Sequence, residues 1–343
     1  MPKTDELSPR TIANVSATAR FLHVANGTST TETISAAAIP GIRSIWADPL
    51  YEGPVPGGLS DSELLDVRAR YLAGPDQGDV DPVNDLRRWR QAIEAHESYD
   101  ELVLWFEHDL FDQLNLIQLL SWIRTCVPAG KVVSLVCIGS FPGHPRFKGL
   151  GELSPVELAS LFETRRPLSD AQYALAERAW KAFREPGPDA LETLRHSGTD
   201  ALPYFAAALE RFLQEYPSTI DGLSRSERRL LQLAEPGPIR VEAAFPRMHD
   251  GEDAYYITDC SLAGLVTVLS RTSPPLLGFT GDPSADDRVL HGSVSLTEAG
   301  REVLAGRRDR VGCGLDRWLG GVHLESGGVI WRWDEDHRRL TQG

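Results

Sequence analysis

Four short apolar runs alternate with amphipathic segments in the first half of the chain. The runs cover residues 20–25, 42–46, 102–106 and 131–138. The run at residues 102–106 is continuously apolar, which is typical of a strand that is buried on both faces of a parallel sheet. Strands that alternate with helices indicate right-handed crossover connections. The pattern therefore predicts a Rossmann-like α/β domain over residues 19–150, preceded by a loose lead-in over residues 1–18.

Capping boxes, in which a serine is followed three residues later by Glu or Gln, mark several helix starts. The pairs are Ser60 with Glu63, Ser154 with Glu157, Ser169 with Gln172, and Ser224 with Glu227. The first pair predicts a helix over residues 61–72 of the α/β domain. The next two pairs, with the apolar spacing that follows them, predict a helical middle segment over residues 151–220.

The last third of the chain changes character. The helix that begins near Ser224 is followed by a helical run at residues 259–269 and by a strand and short helix around residues 294–304. This order of elements resembles the architecture of winged helix-turn-helix modules. We expect a winged-helix-like α+β module with a C-terminal tail over residues 221–343. Tryptophans in the tail are expected to pin it to the body, and a lid that reaches the site is the alternative.

Composition is that of a globular protein of about two domains, with 343 residues, 41% of them apolar and 24% charged. No apolar run approaches the ~20 residues that span a bilayer, so we expect no membrane partner. The four cysteines lack CxxC spacing, which favours free thiols in a reducing compartment. We expect a cytoplasmic protein, and the sequence leaves open whether it forms a homo-oligomer.

The charge balance argues against a nucleic-acid partner. The formal net charge is −14, and residues 221–343 carry −4, from 15 basic and 19 acidic side chains. Contacts to phosphates dominate nonspecific affinity for nucleic acid, and a module that binds DNA is more often basic. We expect a small-molecule ligand instead.

Ionisable residues follow directly after the third predicted strand. They are Glu107, His108 and Asp109. Ligands bind at the carboxyl ends of strands in open α/β sheets, so this cluster is a candidate catalytic site. His108 would act as a general base, and Glu107 and Asp109 would orient it or bind a divalent metal. The alternative is a plain helix start, in which Asp109 caps the helix amides and His108 bonds to backbone.

A small-residue loop follows the first predicted strand. Asn26, Gly27, Thr28 and Ser29 open a helix there, and the N–H groups and dipole of a helix start attract anions. Turn geometry alone would also explain these residues. His23, two residues before the strand end, is expected to be a core histidine with satisfied hydrogen bonds.

Two further loops complete the predicted edge. Asp48 ends the second strand, where it would bind a ligand or start a turn. His144 and Arg146 lie in a proline-containing loop after the fourth strand, and the Arg146 guanidinium would clamp an anionic group. A solvated loop is the alternative there. Gln113 lies on the helix after the cluster. It would extend the polar edge or lie at the solvated surface, and the helical pattern favours the surface at least equally.

The sequence lacks the common motifs that identify a reaction or a cofactor. The sequence contains no GxSxG elbow, Walker loop, HExxH or GxGxxG. The metal and the cofactor, if the protein uses either, therefore remain unknown from the sequence.

Several longer segments carry a resemblance to a known family. They are HVANGTS at residues 23–29, WADPLYEGPVP at 46–56, VRARYLAG at 67–74, and LWFEHDLFDQLNLIQLL at 104–120. The chain resembles the family of the domain of unknown function 1835. The segments SRSERRLLQL, LTEAGREVLAG and DRWLGGVHLESGGVIWRWD resemble the long version of that family. Relatives often have Asp where this chain has Thr28. The resemblance implies kinship and brings no established activity.

Two functional hypotheses follow. The first is an enzyme that performs acid–base hydrolysis or group transfer, with or without a metal, on a small phosphorylated or carboxylated substrate. The second is a non-catalytic regulator in which the Rossmann-like domain senses a ligand and the winged-helix-like module contacts DNA or protein. The four strand-end loops are expected to meet at one edge of the sheet in either case.

Overall fold

The computed structural model describes residues 19–74, 81–281 and 291–343. The lead-in predicted for residues 1–18 lies outside the described residues. So do part of the polar loop before residue 82 and part of the turn-rich segment before residue 294.

The strands of the described chain are numbered in order. They are β1 (Phe21–Ala25), β2 (Ile42–Ile45), β3 (Gly53–Pro54), β4 (Glu101–Glu107), β5 (Val132–Ile138), β6 (Arg166–Pro167), β7 (Ile239–Arg240), β8 (Leu277–Gly281), β9 (Gly292–Leu296), β10 (Asp316–Gly320), β11 (Val322–Glu325), β12 (Trp331–Asp334) and β13 (Arg339–Gln342).

The α-helices are numbered in the same way. They are α1 (Thr28–Ala36), α2 (Asp61–Ala73), α3 (Pro82–Glu94), α4 (Leu110–Cys126), α5 (Pro155–Phe162), α6 (Asp170–Phe183), α7 (Asp189–His196), α8 (Phe205–Leu213), α9 (Arg225–Ala234), α10 (Val241–Met248), α11 (Asp259–Ser270) and α12 (Glu298–Leu304). Short 3-10 turns cover His96–Ser98, Leu150–Glu152 and Arg310–Cys313.

The central sheet has the strand order β2-β1-β4-β5-β6. Its first four strands are parallel, and β6 adds an antiparallel edge. The predicted strands at residues 20–25, 42–46, 102–106 and 131–138 are therefore confirmed, as is the α/β class. The carboxyl ends of β1, β2, β4 and β5 all lie at one edge of this sheet.

The middle strand β4 is buried on both faces. Leu102, Leu104 and Phe106 contribute to the larger core cluster, and Val103 and Trp105 to a second cluster on the opposite face. This alternation is the two-residue period of a pleated strand. It explains why β4 has a continuous apolar sequence rather than an alternating one. Helix α4 packs against the sheet and against α6 and α8, and most of its residues are buried.

His23 on β1 is a core residue, as expected. Its Nε2 lies 3.0 Å from the Pro40 carbonyl, and its Nδ1 accepts a hydrogen bond of 3.1 Å from Trp105 Nε1. Burial lowers the pKa of His23 to about 4. The side chain therefore stays neutral and satisfied inside the sheet.

All four predicted capping boxes are present. In each one the serine side chain accepts from the backbone N–H three residues on, and the Glu or Gln side chain reaches back to the serine. Such reciprocal bonds satisfy N–H groups that have no partner within the helix, which is why this local signal is reliable. The helices predicted from these caps and the helix at residues 259–269 are confirmed.

The C-terminal segment contains α9, β7, α10, α11, β8 and β9 in that order, followed by α12. Its three strands form an antiparallel sheet with the order β7-β9-β8. In the tail, β10 pairs in parallel with β3, and Trp333 on β12 is 3% exposed. The tail is thus pinned to the body, as expected. One core cluster contains residues from the α/β, middle and C-terminal segments.

No helix in the three described ranges is long and apolar enough to cross a membrane.

Candidate functional site

The ends of β1 and β4 are neighbours, and this brings Asn26 to the residues that follow β4. The side-chain amide of Asn26 donates to Glu107 Oε2 at 2.7 Å and also to Asp112 Oδ2. Two carboxyl groups therefore share one amide. The contact links residues more than eighty positions apart in sequence.

Glu107 is 3% exposed, and both of its carboxyl oxygens and its backbone N–H make hydrogen bonds. Its Oε1 accepts a hydrogen bond of 2.6 Å from the backbone N–H of Leu150, and its own N–H donates to Asp112 Oδ1 at 2.7 Å. Burial, opposed by these hydrogen bonds, raises the pKa of Glu107 to about 7. The side chain thus holds a proton through much of the acidic and near-neutral range.

Asp112 and Asp109 complete a buried cluster of carboxyl groups. Burial first, and then the neighbouring carboxyls, raise the pKa of both residues. Asp109 also caps α4, because its Oδ1 accepts from the Asp112 N–H at 2.9 Å. The capping interpretation of Asp109 is therefore observed. In the described residues, no group of three His, Cys, Asp or Glu side chains is arranged to hold a metal ion.

Gln113 belongs to the same cluster. It is 1% exposed, and its amide donates to the Glu107 carbonyl at 2.6 Å. The expectation of a solvated position was wrong. Helix α4 is buried nearly all round, so the helical spacing that marks a solvated face in an amphipathic helix is misleading here.

The imidazole of His108 lies in a cage of aromatic rings. Its centroid is 6.3 Å from the ring of Phe147, which it stacks on, and 6.1 Å from both Tyr204 and Tyr256. Burial, opposed by a backbone hydrogen bond to Asp253, lowers the pKa of this half-buried side chain. Its Nδ1 is buried and has no hydrogen-bond partner within the described chain.

Gly139, directly after β5, allows this close packing. A Cβ atom at Gly139 would lie 2.8 Å from a ring carbon of Tyr204 and 3.1 Å from the Cβ of His108. Contacts this short require the neighbours to move. The glycine therefore lets the Tyr204 ring reach His108.

The loop after β1 opens helix α1 beside the cluster. Gly27 is the N-cap of α1 and supplies no side-chain oxygen to its first turn. Thr28 and Ser29 are exposed, and the Ser29 hydroxyl is 3.4 Å from the Gly151 carbonyl. The predicted helix start is thus present at the same edge as Glu107.

A lysine that the sequence analysis did not single out lies near the Tyr256 ring of this cage. Lys148 Nζ is 3.5 Å from His249 Nδ1 and 5.8 Å from the ring centroid of Tyr256. Within the described ranges, Lys148 makes no ion pair with a carboxylate. No sequence motif marks the residues of this group, because they come from distant segments that meet only in the folded chain. They are Lys148, Tyr204, His249 and Tyr256.

Asp48 has a different set of partners. It is 3% exposed and pairs with Arg68, whose Nη2 is 2.5 Å from Asp48 Oδ1. Its backbone N–H and carbonyl both bond to the side chain of Asn115. The carboxylate that was predicted to face a ligand is thus directed to a buried guanidinium.

The first residues of the loop after β5 lie away from the site, and the later ones contact it. His144 Nε2 lies 3.0 Å from Glu157 Oε1, and Arg146 is exposed. The residues that follow reach the site, through Phe147 at His108 and Leu150 at Glu107. The structure therefore brings together the loops after β1 and β4 and the end of the loop after β5, and it directs Asp48 and His144 to other partners.

The buried carboxyl cluster predicts a pH dependence of stability. Between pH 4.5, the ordinary pKa of Glu, and about 7, folded Glu107 holds a proton that the unfolded chain has released. The free energy of unfolding should therefore fall as pH rises through this interval, by up to ~1.4 kcal/mol per pH unit. The variant Glu107→Gln, which mimics the protonated side chain, should show a shallower slope in denaturant unfolding, because only Asp109 and Asp112 still contribute to it.

The matched control is Glu32→Gln, the same change at an exposed position of α1. It should keep the wild-type slope. An unchanged slope in Glu107→Gln would show that the cluster does not hold the proton assigned to it.

The chain was also compared with known proteins. No family model matches it, and neither does any curated protein. The resemblance to the family of the domain of unknown function 1835 stays a prediction.

Proposed function

We propose that the protein is an enzyme that binds a small anionic substrate at the carboxyl edge of the sheet and acts on it by acid–base chemistry. The observation that carries the proposal is the His108 imidazole. Its lowered pKa makes it a neutral base above pH 6.5, aromatic rings surround it, and its buried Nδ1 has no hydrogen-bond partner among the residues that the structure describes. Buried polar atoms normally have partners, and exceptions concentrate at functional sites.

The carboxyl groups hold the turn that carries His108. Glu107 and Asp109 make their hydrogen bonds to Asn26, Leu150 and Asp112. We infer that they orient His108 by fixing the backbone between β4 and α4. Burial raises the pKa of both carboxyl groups, so they hold protons more readily than exposed carboxyls do. Buried and protonated groups of this kind are not suited to act as nucleophiles.

The first turn of α1 and Lys148 would bind the anionic group of the substrate. Helix N–H groups and the helix dipole favour negative charge, and a lysine adds a point charge. A phosphate or carboxylate held there would place the reacting part of the substrate toward the aromatic cage. Hydrolysis or group transfer on a phosphorylated or carboxylated molecule fits this arrangement.

The direct experiment is a turnover screen of the purified protein on phosphomonoesters, phosphodiesters and carboxylic esters. Each substrate is assayed with added Mg²⁺ or Mn²⁺ and with a chelator, so that a metal requirement is measured separately. Turnover in at least one class is expected. Absence of turnover in all three classes under both conditions would favour the regulator instead.

We also propose kinship with the family of the domain of unknown function 1835. The quoted motifs at residues 23–29 and 104–120 supply the two sides of the contact between Asn26 and the carboxyls of Glu107 and Asp112. Two motifs that are distant in sequence and adjacent in space support a shared site in that family.

The alternative function rests on the C-terminal segment. Its order of helix, strand, two helices and two strands, with an antiparallel sheet, favours a winged-helix-like module. The helix in the position of a recognition helix, α11, contains no Lys or Arg. Contacts to phosphates and base edges rely on those residues, so a protein-contacting role fits better than a DNA-binding one.

We predict that this protein does not bind random duplex DNA at ~150 mM salt, at protein concentrations up to about 10 µM. Two of the three arginines at residues 307–310 already have carboxylate partners, and Arg307 is exposed without one in the described residues. Arg310 is 1% exposed and pairs with Glu227, and Arg308 pairs with Glu302. Fluorescence anisotropy of a labelled duplex measures this. Micromolar binding that is lost in Arg307→Gln would favour the regulator hypothesis over the enzyme hypothesis.

A further inference from the structure

A cavity lies between four helices, away from the strand-end site. It has a volume of about 120 Å³ and is bounded by α2, α3, α4 and α6. On α4 its lining begins at Gln118, two turns beyond the helix start at Leu110. At 1.5 Å per residue, that places it about 12 Å along the helix from the strand-end site. The cavity is therefore a separate feature of the molecule.

Arg90 on α3 is its most unusual lining residue. The guanidinium carbon lies 5.0 Å from the ring centroid of Trp46 and 5.7 Å from that of Trp122. Its Nη1 donates to the Leu86 carbonyl at 3.3 Å, and its Nε is buried with no hydrogen-bond partner in the described residues. A buried cation with an unsatisfied donor costs free energy unless something accepts from it.

Arg184, after the end of α6, lines the same cavity. Its Nε and Nη2 donate to the Pro56 carbonyl, and Nη2 also donates to the Leu59 carbonyl at 3.0 Å. Its guanidinium carbon lies 5.5 Å from the Trp180 ring centroid. Neutral carbonyls and aromatic rings thus surround the charge.

The cavity carries more positive than negative charge. Within the described residues, neither Arg90 nor Arg184 forms an ion pair with a carboxylate, and the one acidic lining residue, Asp61, is exposed. Burial lowers the pKa of both arginines, as expected for cations that are not neutralised. Asp48 and Glu94 also influence Arg90, and Asp48 is held by Arg68 at 2.5 Å.

We propose that this cavity binds a small oxyanion, such as inorganic phosphate, between the guanidinium groups of Arg90 and Arg184. Guanidinium N–H groups match the oxygens of phosphate, sulfate and carboxylate, and Arg90 Nη2 makes no hydrogen bond within the described residues. Gln118 and Ser121 add polar side chains to the lining. The volume is well below the ~300 Å³ of pockets for larger ligands, so the class is small anions.

The test measures thermal unfolding and calorimetric binding with inorganic phosphate, sulfate and acetate, each against NaCl at equal ionic strength. Phosphate or sulfate should stabilise the wild-type protein in a saturable way. Arg90→Gln should weaken binding about ten- to a hundredfold, because it removes a charge-assisted donor group. Arg88→Gln, the same change on the exposed face of α3, should bind like the wild type.

A second variant tests the cavity without removing a cation. Ser121→Asp places a carboxylate among the lining residues, so it should raise the melting temperature in the absence of phosphate and abolish the phosphate response. An unchanged phosphate response in Ser121→Asp and Arg90→Gln would overturn the proposal.

Lys148→Gln separates this cavity from the strand-end site. The phosphate response of the wild type should persist in Lys148→Gln if the ion lies at Arg90. A response that is lost in Lys148→Gln and kept in Arg90→Gln would place the ion at the strand-end site, which refutes this inference and supports the proposed function.

Discussion

Replacing Asp48 by Asn is expected to lower the free energy of unfolding by about 3 kcal/mol. Arg68 is 1% exposed, and Asp48 accepts from both its Nε and its Nη2. Burial disfavours the charged guanidinium, but Asp48 more than offsets this and the pKa of Arg68 is raised. Removal of the carboxylate leaves a buried charge without its main partner. Denaturant unfolding measures the loss.

Two features set the expected size of this effect. The Glu52 carboxyl also interacts with Arg68, which keeps the cost at the lower end of the range for a broken buried pair. The bonds between Asn115 and Asp48 involve the backbone of Asp48 and not its carboxylate, so the substitution leaves them in place.

The matched control is Asp100→Asn, which breaks the pair with Arg20 at 2.9 Å. Both of those side chains are about half exposed, so water screens the pair and the cost should be much smaller than that of Asp48→Asn. The double variant Asp48→Asn with Arg68→Met should recover part of the loss, since the uncompensated charge is gone. Equal costs for the Asp48 and Asp100 variants would show that the buried pair is not a stability determinant.

Replacing His108 by Asn is expected to reduce kcat/KM by about 10²–10⁴-fold for any substrate that the screen identifies. The imidazole is the base in the proposed reaction, and Asn cannot accept a proton at neutral pH. The lowered pKa of His108 places the acidic limb of the wild-type pH profile below pH 6.5, because the base is inactivated only when it is protonated. Steady-state kinetics across pH measures both effects.

The control is His96→Asn, the same change in the turn that precedes β4, at the opposite edge of the sheet. It should leave the kinetics unchanged. His108 is half-buried among three rings, so its variant is expected to lose some thermal stability, and activity is compared per folded molecule. A destabilised His108→Asn with full activity per folded molecule would assign the histidine a structural role.

Local sequence signals determined much of the fold. The apolar runs of β1, β4 and β5 identify strands because a strand inside a parallel sheet has apolar neighbours on both faces. The edge strand β2 is more exposed and contains Arg43 and Ser44. Ser60, Ser154, Ser169 and Ser224 identify helix starts because a cap satisfies N–H groups within one turn. The same reasoning placed His23 in the core and Asp109 at a helix start, and both are observed.

Part of the candidate site followed from the same signals. Glu107, His108 and Asp109 come directly after a buried strand, and parallel strands bring their carboxyl ends to one edge. This was enough to expect Asn26 near Glu107, which the structure shows. The segment that joins the strand to its helix is fixed by local geometry, so its position in the sheet could be derived from sequence.

Tertiary structure alone decided which partner each polar side chain has. Asp48 pairs with Arg68, Gln113 is buried under Glu107, and the rings around His108 come from three distant segments. A carboxylate or a ring has the same local signature whether it faces a ligand, a guanidinium or water. Its partner depends on how the faces of separate elements pack, and this long-range geometry leaves no periodicity in the chain.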